Sequence, residues 1–413
     1  MTNEVTQKTT SNEQNVSSSN GLEGKVPELR FSSYDDSWTA EKLSDFTVRV
    51  TRKNSKNQTD LPLTISSKDG LVDQVTFFNK KVSSKDMSGY YLLQKGEFAY
   101  NKSYSNGYDF GSIKRLERYE MGALSTLYIC FALTKYCSDY IRHYFDSLKW
   151  YRQIYIISAE GARNHGLLNV PTDDFFATTH YLSQSLSEQE KIAAFLSLVD
   201  ARIEKQRQLV ESLKKYKRGV IQYYFDNILG ERIKLKNILI EVDEKTKINN
   251  QHPVISSTKQ GLFWQEDYFN KDIASSDNKG YKILRKGQVV FSPQNLWMGN
   301  INYNEDFEIG IVSPSYKIYD INKMFDPYFV SVLLKTPIAM KEFFLASEQG
   351  ASIVRRNLNM DLFENITFQI PSLDKQKDIS IRLYKLQKNL DLNIKILDYL
   401  IKFKQGLLQQ MFI

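Results

Sequence analysis

The 413-residue sequence has few of the residues that build disulfide, metal and membrane sites. Its two cysteines, Cys130 and Cys137, are too few for a disulfide framework, and we interpret them as plain thiols on one face of a helix. Its four histidines do not stand at metal-ligand spacing from one another or from the cysteines. No apolar run reaches the roughly 18 residues of a membrane-spanning helix. We therefore expect no disulfide scaffold, metal centre or transmembrane anchor.

The arrangement of prolines and glycines excludes two kinds of catalytic site. None of the nine prolines adjoins another, so the sequence lacks the Pro-Pro loop with which amino-methyltransferases hold a flipped adenine. Gly161 and Gly166 have the spacing of a phosphate-binding loop, but Leu167 follows where that loop requires lysine. Residues 243–245, Asp-Glu-Lys, match a nuclease carboxylate set only weakly and suit a solvated turn. We expect a chain that is not itself an enzyme.

The first 25 residues form a polar segment without the apolar stretch of a signal peptide. We expect residues 1–25 to be a disordered tail and the protein to be cytoplasmic. The remainder is rich enough in hydrophobic and aromatic residues to fold, since these make up 41% and 13% of the chain. The net charge of +7 is concentrated in residues 186–225 and 373–412, and by itself it does not decide between a nucleic-acid and a protein partner.

These two basic segments are copies of one another. They align without a gap at an offset of 187 residues, with identities that include Gln189/Gln376 and Lys217/Lys404. The regions that precede them also match, at an offset of 191, although the rest of their sequences differ greatly. The chain therefore follows the order domain, helix, domain, helix.

Apolar residues in both segments follow the 4-3-4-3 spacing of a coiled coil. One polar residue interrupts each seam, Gln206 in the first and Asn393 in the second, and we expect this pair to fix the register. The path of the chain makes the helix pair antiparallel. A seam of about 29 residues is a rod of roughly 42 Å, comparable to one turn of DNA. From geometry alone, a DNA-binding ruler and a protein-only coiled-coil adaptor remain alternatives.

Each globular region combines strand-like runs with a helical stretch, so we expect an α+β fold with tandem mixed domains. Strands are expected at residues 61–66, 90–100, 254–257 and 281–291, and helices around 125–144 and 327–345.

Two pairs of loops carry residue types that contact nucleic acids. A glycine-containing loop in each domain is followed by cationic and amide side chains, and a Lys-Gly turn in each is followed by amides beside aromatics. Arginine and asparagine suit the edges of guanine and adenine respectively. The candidate DNA-contacting residues are Lys68, Lys80, Asn101, Lys102, Tyr104, Asn106, Arg163, Asn164, His165, Lys259, Lys271, Gln294, Asn295, Trp297, Asn300, Arg355, Arg356 and Asn357.

Residues 26–31, Val-Pro-Glu-Leu-Arg-Phe, followed by Trp38 and Leu43, are similar to the start of the specificity subunits of type I restriction-modification systems. Residues 186–192 and 214–219 resemble the central conserved region of that family, and residues 373–377 and 404–410 resemble its distal one. The matches follow the family order over residues 26–413. One departure is Lys375-Gln376-Lys377, where the commoner pattern is acidic, as in Glu188-Gln189-Glu190.

The resemblance implies two target-recognition domains, at 26–185 and 226–372, that each read one half of a split DNA sequence. It implies conserved helices at 186–225 and 373–413 whose length sets the unread gap. Because the domains differ in sequence, we predict an asymmetric bipartite target.

The resemblance also implies a non-catalytic chain that binds double-stranded DNA and docks two adenine-N6 methyltransferase subunits, and through them ATP-dependent restriction subunits. S-adenosylmethionine, ATP and magnesium are then expected on the partners and no cofactor on this chain. Basic residues near the helix ends are expected either to touch a partner or phosphate or to compensate the helix dipoles: Lys214, Lys215, Lys217, Arg218, Lys402 and Lys404.

Overall fold

The computed structural model describes residues 24–80, 83–84, 86–158, 168–268, 277–349 and 356–413. The chain divides into two compact units. Unit 1 consists of the chain up to Lys205 together with Leu397–Ile413, and unit 2 consists of Gln206–Ile396. Each unit therefore contains part of both long helices.

Unit 1 consists of short strands and short helices before the first long helix. Its strands are β1 (Thr39–Lys42), β2 (Thr47–Arg49), β3 (Pro62–Ser66), β4 (Gly70–Asp73), β5 (Tyr91–Gln94), β6 (Phe98–Asn101), β7 (Ser112–Arg115), β8 (Met121–Leu124), β9 (Ile129–Leu133) and β10 (Thr179–Leu182). Its helices are α1 (Leu43–Phe46), α2 (Gln74–Phe78), α3 (Ser138–Asp146), α4 (Tyr151–Ile157), α5 (Thr172–Phe176) and the beginning of α6 (Leu186–Asp226).

The core of unit 1 lies between a sheet and helix α3. One sheet has the order β2-β9-β6-β7, and another has the order β4-β3-β8-β5, in which β3 and β8 run parallel. Phe98 of β6 stacks on Phe131 of β9 at a centroid distance of 5.4 Å, and Phe145 of α3 lies 5.9 Å from both. β1 pairs with β10, which leads into α6.

The helix predicted around residues 125–144 is wrong in its first half. Residues 129–133 form strand β9, and α3 begins only at Ser138. An apolar run this short carries no periodicity that separates a strand from a helix, and Phe131 finds its partner across the sheet. Cys130 therefore lies in a strand and Cys137 stands at the N-cap of α3, so the two free thiols do not share a helix face.

Unit 2 repeats this element order. Its strands are β11 (Glu231–Lys234), β12 (Leu239–Val242), β13 (Ile255–Thr258), β14 (Gly261–Trp264), β15 (Lys282–Arg285), β16 (Gln288–Phe291), β17 (Ile301–Tyr303), β18 (Ile309–Val312), β19 (Lys317–Ile321), β20 (Ser347–Gln349), β21 (Arg356–Leu358) and β22 (Thr367–Ile370). Its helices are the end of α6, then α7 (Leu235–Ile238), α8 (Gln265–Tyr268), α9 (Pro327–Leu333), α10 (Pro337–Leu345), α11 (Met360–Asn365) and the beginning of α12 (Leu373–Met411).

The sheets of the two units have equivalent topologies. The order β12-β19-β16-β17 in unit 2 matches β2-β9-β6-β7 in unit 1. A parallel bridge between Val254 and Ile311 takes the place of the parallel β3–β8 pairing. The strands expected from the sequence are confirmed by β3, β5, β6, β13, β15 and β16, and the helix expected around 327–345 is confirmed as α9 and α10. The mixed α and β fold and the internal repeat are thus both present.

The long helices α6 and α12 pack antiparallel, as predicted. In unit 2, the Gln206 amide donates to the main-chain and side-chain oxygens of Asn393 at 3.0 and 2.9 Å. Farther along α6, Lys217 donates to Gln387, which comes earlier in α12. Within the described ranges, no helix is both long and apolar enough to cross a membrane.

Contacts of the helices also repeat. Under the 187-residue offset, the pair Lys217–Gln387 of unit 2 becomes Lys404–Asp200, and in unit 1 these two residues form an ion pair at 2.5 Å. The repeat is therefore preserved in contacts as well as in sequence.

The identical Gln189 and Gln376 explain how each long helix begins. Gln189 accepts from the Cys137 amide at 2.8 Å and donates to the Ser183 carbonyl at 2.9 Å. Gln376 accepts from the Asp326 amide at 2.9 Å and donates to the Pro371 carbonyl at 2.8 Å. One glutamine thus ties the first helical turn to the N-cap of α3 in unit 1 and of α9 in unit 2.

Candidate nucleic-acid interface

In unit 1, the loop that follows β6 folds back onto the turn between β3 and β4. The Ser67 hydroxyl bonds the hydroxyls of Ser105 at 2.8 Å and Ser112 at 3.0 Å. Gly111 permits the return of this loop, because its φ is +78° and a Cβ there would stand 1.9 Å from the carbonyl oxygen of Asn101. The predicted residues 101–106 are therefore held on a short closed loop.

The predicted residues on this loop differ in exposure. Tyr104 is 58% exposed and Asn106 is also exposed, whereas the half-buried Asn101 accepts from the backbone amide two residues later at 3.0 Å. Burial lowers the pKa of the Lys102 ammonium. The Lys102 carbonyl accepts from the Leu168 amide at 3.0 Å, so this loop contacts the segment just after residues 159–167.

In unit 2, Asn300 takes the place of Ser112, and Asn302 joins it in bonding Ser257. Asn300 is buried, accepts from the Ser257 hydroxyl at 2.8 Å and donates to the Ser257 carbonyl at 3.1 Å. Asn302 donates to the Ser257 hydroxyl at 2.9 Å and accepts from Lys335 Nζ at 2.7 Å. These bonds join the end of β13, just before the β13–β14 turn, to Asn300 and Asn302 at the start of β17. Because both ends of its amide are occupied, the predicted residue Asn300 braces this turn.

The other two predicted segments of unit 2 meet at Phe344. The guanidinium carbon of Arg356 lies 4.1 Å from the centroid of the Phe344 ring, and the Trp297 ring lies 6.1 Å from it at an angle of 64°. The Arg356 amide donates to the Gln294 carbonyl at 3.4 Å. The Gln294 side chain is exposed and that of Asn295 is half-buried. The segment after β16 and the β20–β21 hairpin thus form one surface.

The other predicted residues complete these clusters in part. Lys68 and Lys259 are exposed at equivalent positions, in the β3–β4 and β13–β14 turns, and Asn357 is exposed on β21. Lys80 is exposed just after α2. Five predicted residues lie outside the described residues: Arg163, Asn164, His165, Lys271 and Arg355.

Sequence reasoning missed several residues that hold these clusters. Asn302 could have been recognised in the sequence, because asparagine recurs at every second position, at Asn300, Asn302 and Asn304, in and beside strand β17. All three asparagines are buried. Lys335 and Phe344 had no such signal, since they reach the clusters from the turn between α9 and α10 and from α10, which are distant in sequence.

An ion network in unit 1 ties α3 to the long helices. Asp146 accepts from Lys114 at 2.7 Å, and Lys404 lies 3.8 Å from Asp146 and 2.5 Å from Asp200. Burial by itself would raise the pKa of Asp146, but the positive charges of Lys114 and Lys404 lower it to about 2. Burial lowers the pKa of the adjacent His143 to about 3, so this imidazole is neutral.

Unit 2 carries other charges at the equivalent positions. Strand register and the helix repeat place Asn302 where unit 1 has Lys114, Lys335 where it has Asp146, and Gln387 where it has Asp200. Burial and the positive charge of Lys217 both lower the pKa of Lys335. Burial also lowers the pKa of Lys217, and the charge of Asp391 opposes this effect. Unit 1 thus pairs Lys114 and Lys404 with carboxylates, and unit 2 pairs Lys335 and Lys217 with amides.

The acidic start of α6 also has a specific partner. Glu188 accepts from Arg30 Nε and Nη2 at 2.6 and 2.9 Å, from Trp38 at 3.1 Å and from the Ser183 hydroxyl at 2.5 Å. Burial opposes this charge, but the bonds from Arg30 and Ser183 lower the pKa of Glu188. Its repeat equivalent Lys375 is exposed. Glu188 is thus buried against partners in unit 1, whereas the lysine at the equivalent position of α12 is exposed.

The basic residues predicted at the helix ends differ in their contacts and exposure. Lys217 and Lys404 bond Gln387 and Asp200 between the helices, so they are not exposed basic ends. Lys215, Arg218 and Lys402 are exposed.

No protein-family model and no curated protein matches the sequence. Two solved structures share its fold. The S subunit of a type I restriction-modification system from M. genitalium aligns with a TM-score of 0.53 over 94% of this chain and 99% of its own, at 15% identity. A chain from a structure describing complex assembly and conformational transition of the type I restriction-modification system aligns with a TM-score of 0.55 over 91% and 97%, also at 15% identity. The fold of this chain, over nearly its whole length, is thus the fold of a type I restriction-modification S subunit.

Proposed function

We propose that this chain is the DNA-binding specificity subunit of a type I restriction-modification complex. The observation that carries the proposal is the alignment with the M. genitalium S subunit over 94% of this chain. In this role the chain is not itself catalytic. S-adenosylmethionine, ATP and magnesium are bound by its methyltransferase and restriction partners.

Each unit reads one half of a bipartite target through the cluster described above. In unit 1 this cluster exposes Tyr104 and Asn106 on a loop fixed by serines. In unit 2 it exposes Gln294 and Asn357 beside Trp297 and Arg356. Because base edges are read by hydrogen-bond patterns, two clusters of such different chemistry select different bases. The target is therefore asymmetric, and the long helices set its gap.

The outer faces of the long helices supply docking sites for two methyltransferase subunits. Tyr216 and Tyr223 of α6 are 63% and 68% exposed and flank Gly219. In α12, Tyr399 and Phe403 are 68% and 44% exposed and precede the repeat-equivalent Gly406. Exposed aromatic side chains are the residue types that anchor protein interfaces. Two such faces, one in each repeat, suit two copies of one partner.

The direct test is a map of N6-methyladenine across the host genome by long-read sequencing, with the gene intact and with it deleted. We expect deletion to abolish methylation at one motif consisting of two different half-sites and an unread gap. A palindromic motif that depends on the gene would contradict the asymmetry. Methylation that does not change on deletion moves the test to the reconstituted complex with methyltransferase.

In the reconstituted complex, DNA affinity should fall steeply as salt rises, because phosphate contacts release counterions. A complex without salt-sensitive DNA affinity would replace the proposal with the protein-only adaptor.

A further inference from the structure

The guanidinium group of Arg356 is held in place by neighbouring residues. Its Nε donates to the Ser347 hydroxyl at 2.9 Å, and its Nη2 donates to the Ser347 carbonyl at 2.5 Å. The Ser347 hydroxyl is itself oriented, since it donates to the Phe344 carbonyl at 2.9 Å. The guanidinium carbon lies 4.1 Å from the centroid of the Phe344 ring, within the range of a cation–π contact. Three independent contacts therefore fix this guanidinium group.

These contacts occupy one edge of the guanidinium group. Nε and Nη2 form the side edge, and both point to Ser347. The end edge keeps one N–H of Nη1 and the second N–H of Nη2, and no described residue bonds Nη1. Two parallel donors on a planar group match the paired acceptors O6 and N7 that guanine presents in the major groove. A phosphate contact requires no such fixed plane, because a point charge is sufficient for it.

The position of Arg356 agrees with a reading role. It stands on β21 in the surface that also contains Gln294 and Trp297 and exposes Asn357. The indole N–H of Trp297 is buried and has no partner among the described residues. An unpartnered donor thus lies just beneath this surface, beside a restrained arginine.

We propose that Arg356 reads a guanine in the half-site recognised by unit 2, and that Ser347 is the residue that positions it. This inference rests on the proposed function, because it requires that the chain bind a specific DNA sequence.

The test uses the reconstituted complex with methyltransferase and DNA in which each base pair of the target is changed in turn. The variant R356K keeps the positive charge but loses the planar fork, so it should lose discrimination at one G·C pair of one half-site by about tenfold or more. K259Q removes an exposed lysine and should weaken all sequences about equally, without changing base preference.

A second pair of variants covers the case in which R356K fails to assemble. S347A leaves the arginine in place but removes the acceptor of its Nε, and should reduce discrimination at the same G·C pair. S331A is its control, because the Ser331 hydroxyl only donates to a carbonyl within α9, at 2.7 Å, and should change nothing.

The outcomes separate the two proposals. A wild-type complex without sequence-specific binding would overturn the proposed function. If the wild-type complex is specific but the variants keep its preference at every position, the role of Arg356 alone is overturned. A target with no G·C pair in either half-site would also overturn that role alone.

Discussion

Replacing Asp146 with asparagine removes the carboxylate at the centre of the ion network of unit 1. Lys114 loses the carboxylate to which it donates at 2.7 Å, while Lys404 keeps Asp200 at 2.5 Å. The side chains of Lys114 and Asp146 are only 14% and 18% exposed, so the remaining ammonium group is poorly solvated. Breaking a buried pair by removing one partner typically costs about 3 to 5 kcal/mol. Since the pair here is not fully buried, we expect D146N to lower the free energy of unfolding by about 2 to 3 kcal/mol.

The dependence of stability on pH gives a second value for the free energy of the same interaction. The folded-state pKa of Asp146 is lowered from 3.8 to about 2, which corresponds to about 2 kcal/mol. Because the folded pKa lies below the unfolded one, this stabilisation is fully present above about pH 4 and is lost as the pH falls towards about 2. The wild-type protein should lose it over that window, and D146N should not.

Urea unfolding followed by tryptophan fluorescence is the assay, since the buried Trp38 and Trp150 report on unit 1. D60N, at an exposed aspartate of the same unit, is the control and should stay within about 0.5 kcal/mol of wild type. A double-mutant cycle with K114M should give a coupling of at least about 1 kcal/mol. Strictly additive effects of the two substitutions would refute the reasoning.

Three further substitutions test other contacts by thermal unfolding or binding. E188Q weakens the bonds from Arg30 and should cost about 2 kcal/mol, whereas K375A at the exposed repeat equivalent should leave the melting temperature nearly unchanged. G111A places a Cβ 1.9 Å from the Asn101 carbonyl and should lower both stability and DNA affinity, while G89A, where nothing lies within 4 Å, should do neither. Q206L should raise the melting temperature but loosen the helix register, giving mixed assembly states by size-exclusion chromatography with light scattering. A melting temperature that falls, with a single assembly state, would contradict the last prediction.

The sequence predicts the long helices well because their signal is redundant. Their seam repeats every few residues and then appears again 187 residues later, so Gln206 and Asn393 identify each other as partners. Strand β9 was missed because five apolar residues carry no period, and its pairing with β2 and β6 decides its conformation.

The candidate site likewise has features that the sequence predicts and features that it does not. Residue type and loop position select Arg356 and Trp297 as candidates on two separate loops, and the structure brings these loops together at Phe344. Their support by Ser347 and Phe344 could not be predicted, because it depends on the hairpin register and on a ring contributed by α10.

The Gln206–Asn393 layer differs from every other contact between the long helices, because its two members are equivalent positions of the repeat. Elsewhere a contact such as Lys217–Gln387 has a separate counterpart, so each can change while the other is kept. At the central layer one residue type would be sufficient to pair two copies of a single repeat. Two identical repeats could therefore pair here through a single residue type, and the glutamine and asparagine of this chain fill one symmetric position with two different amides.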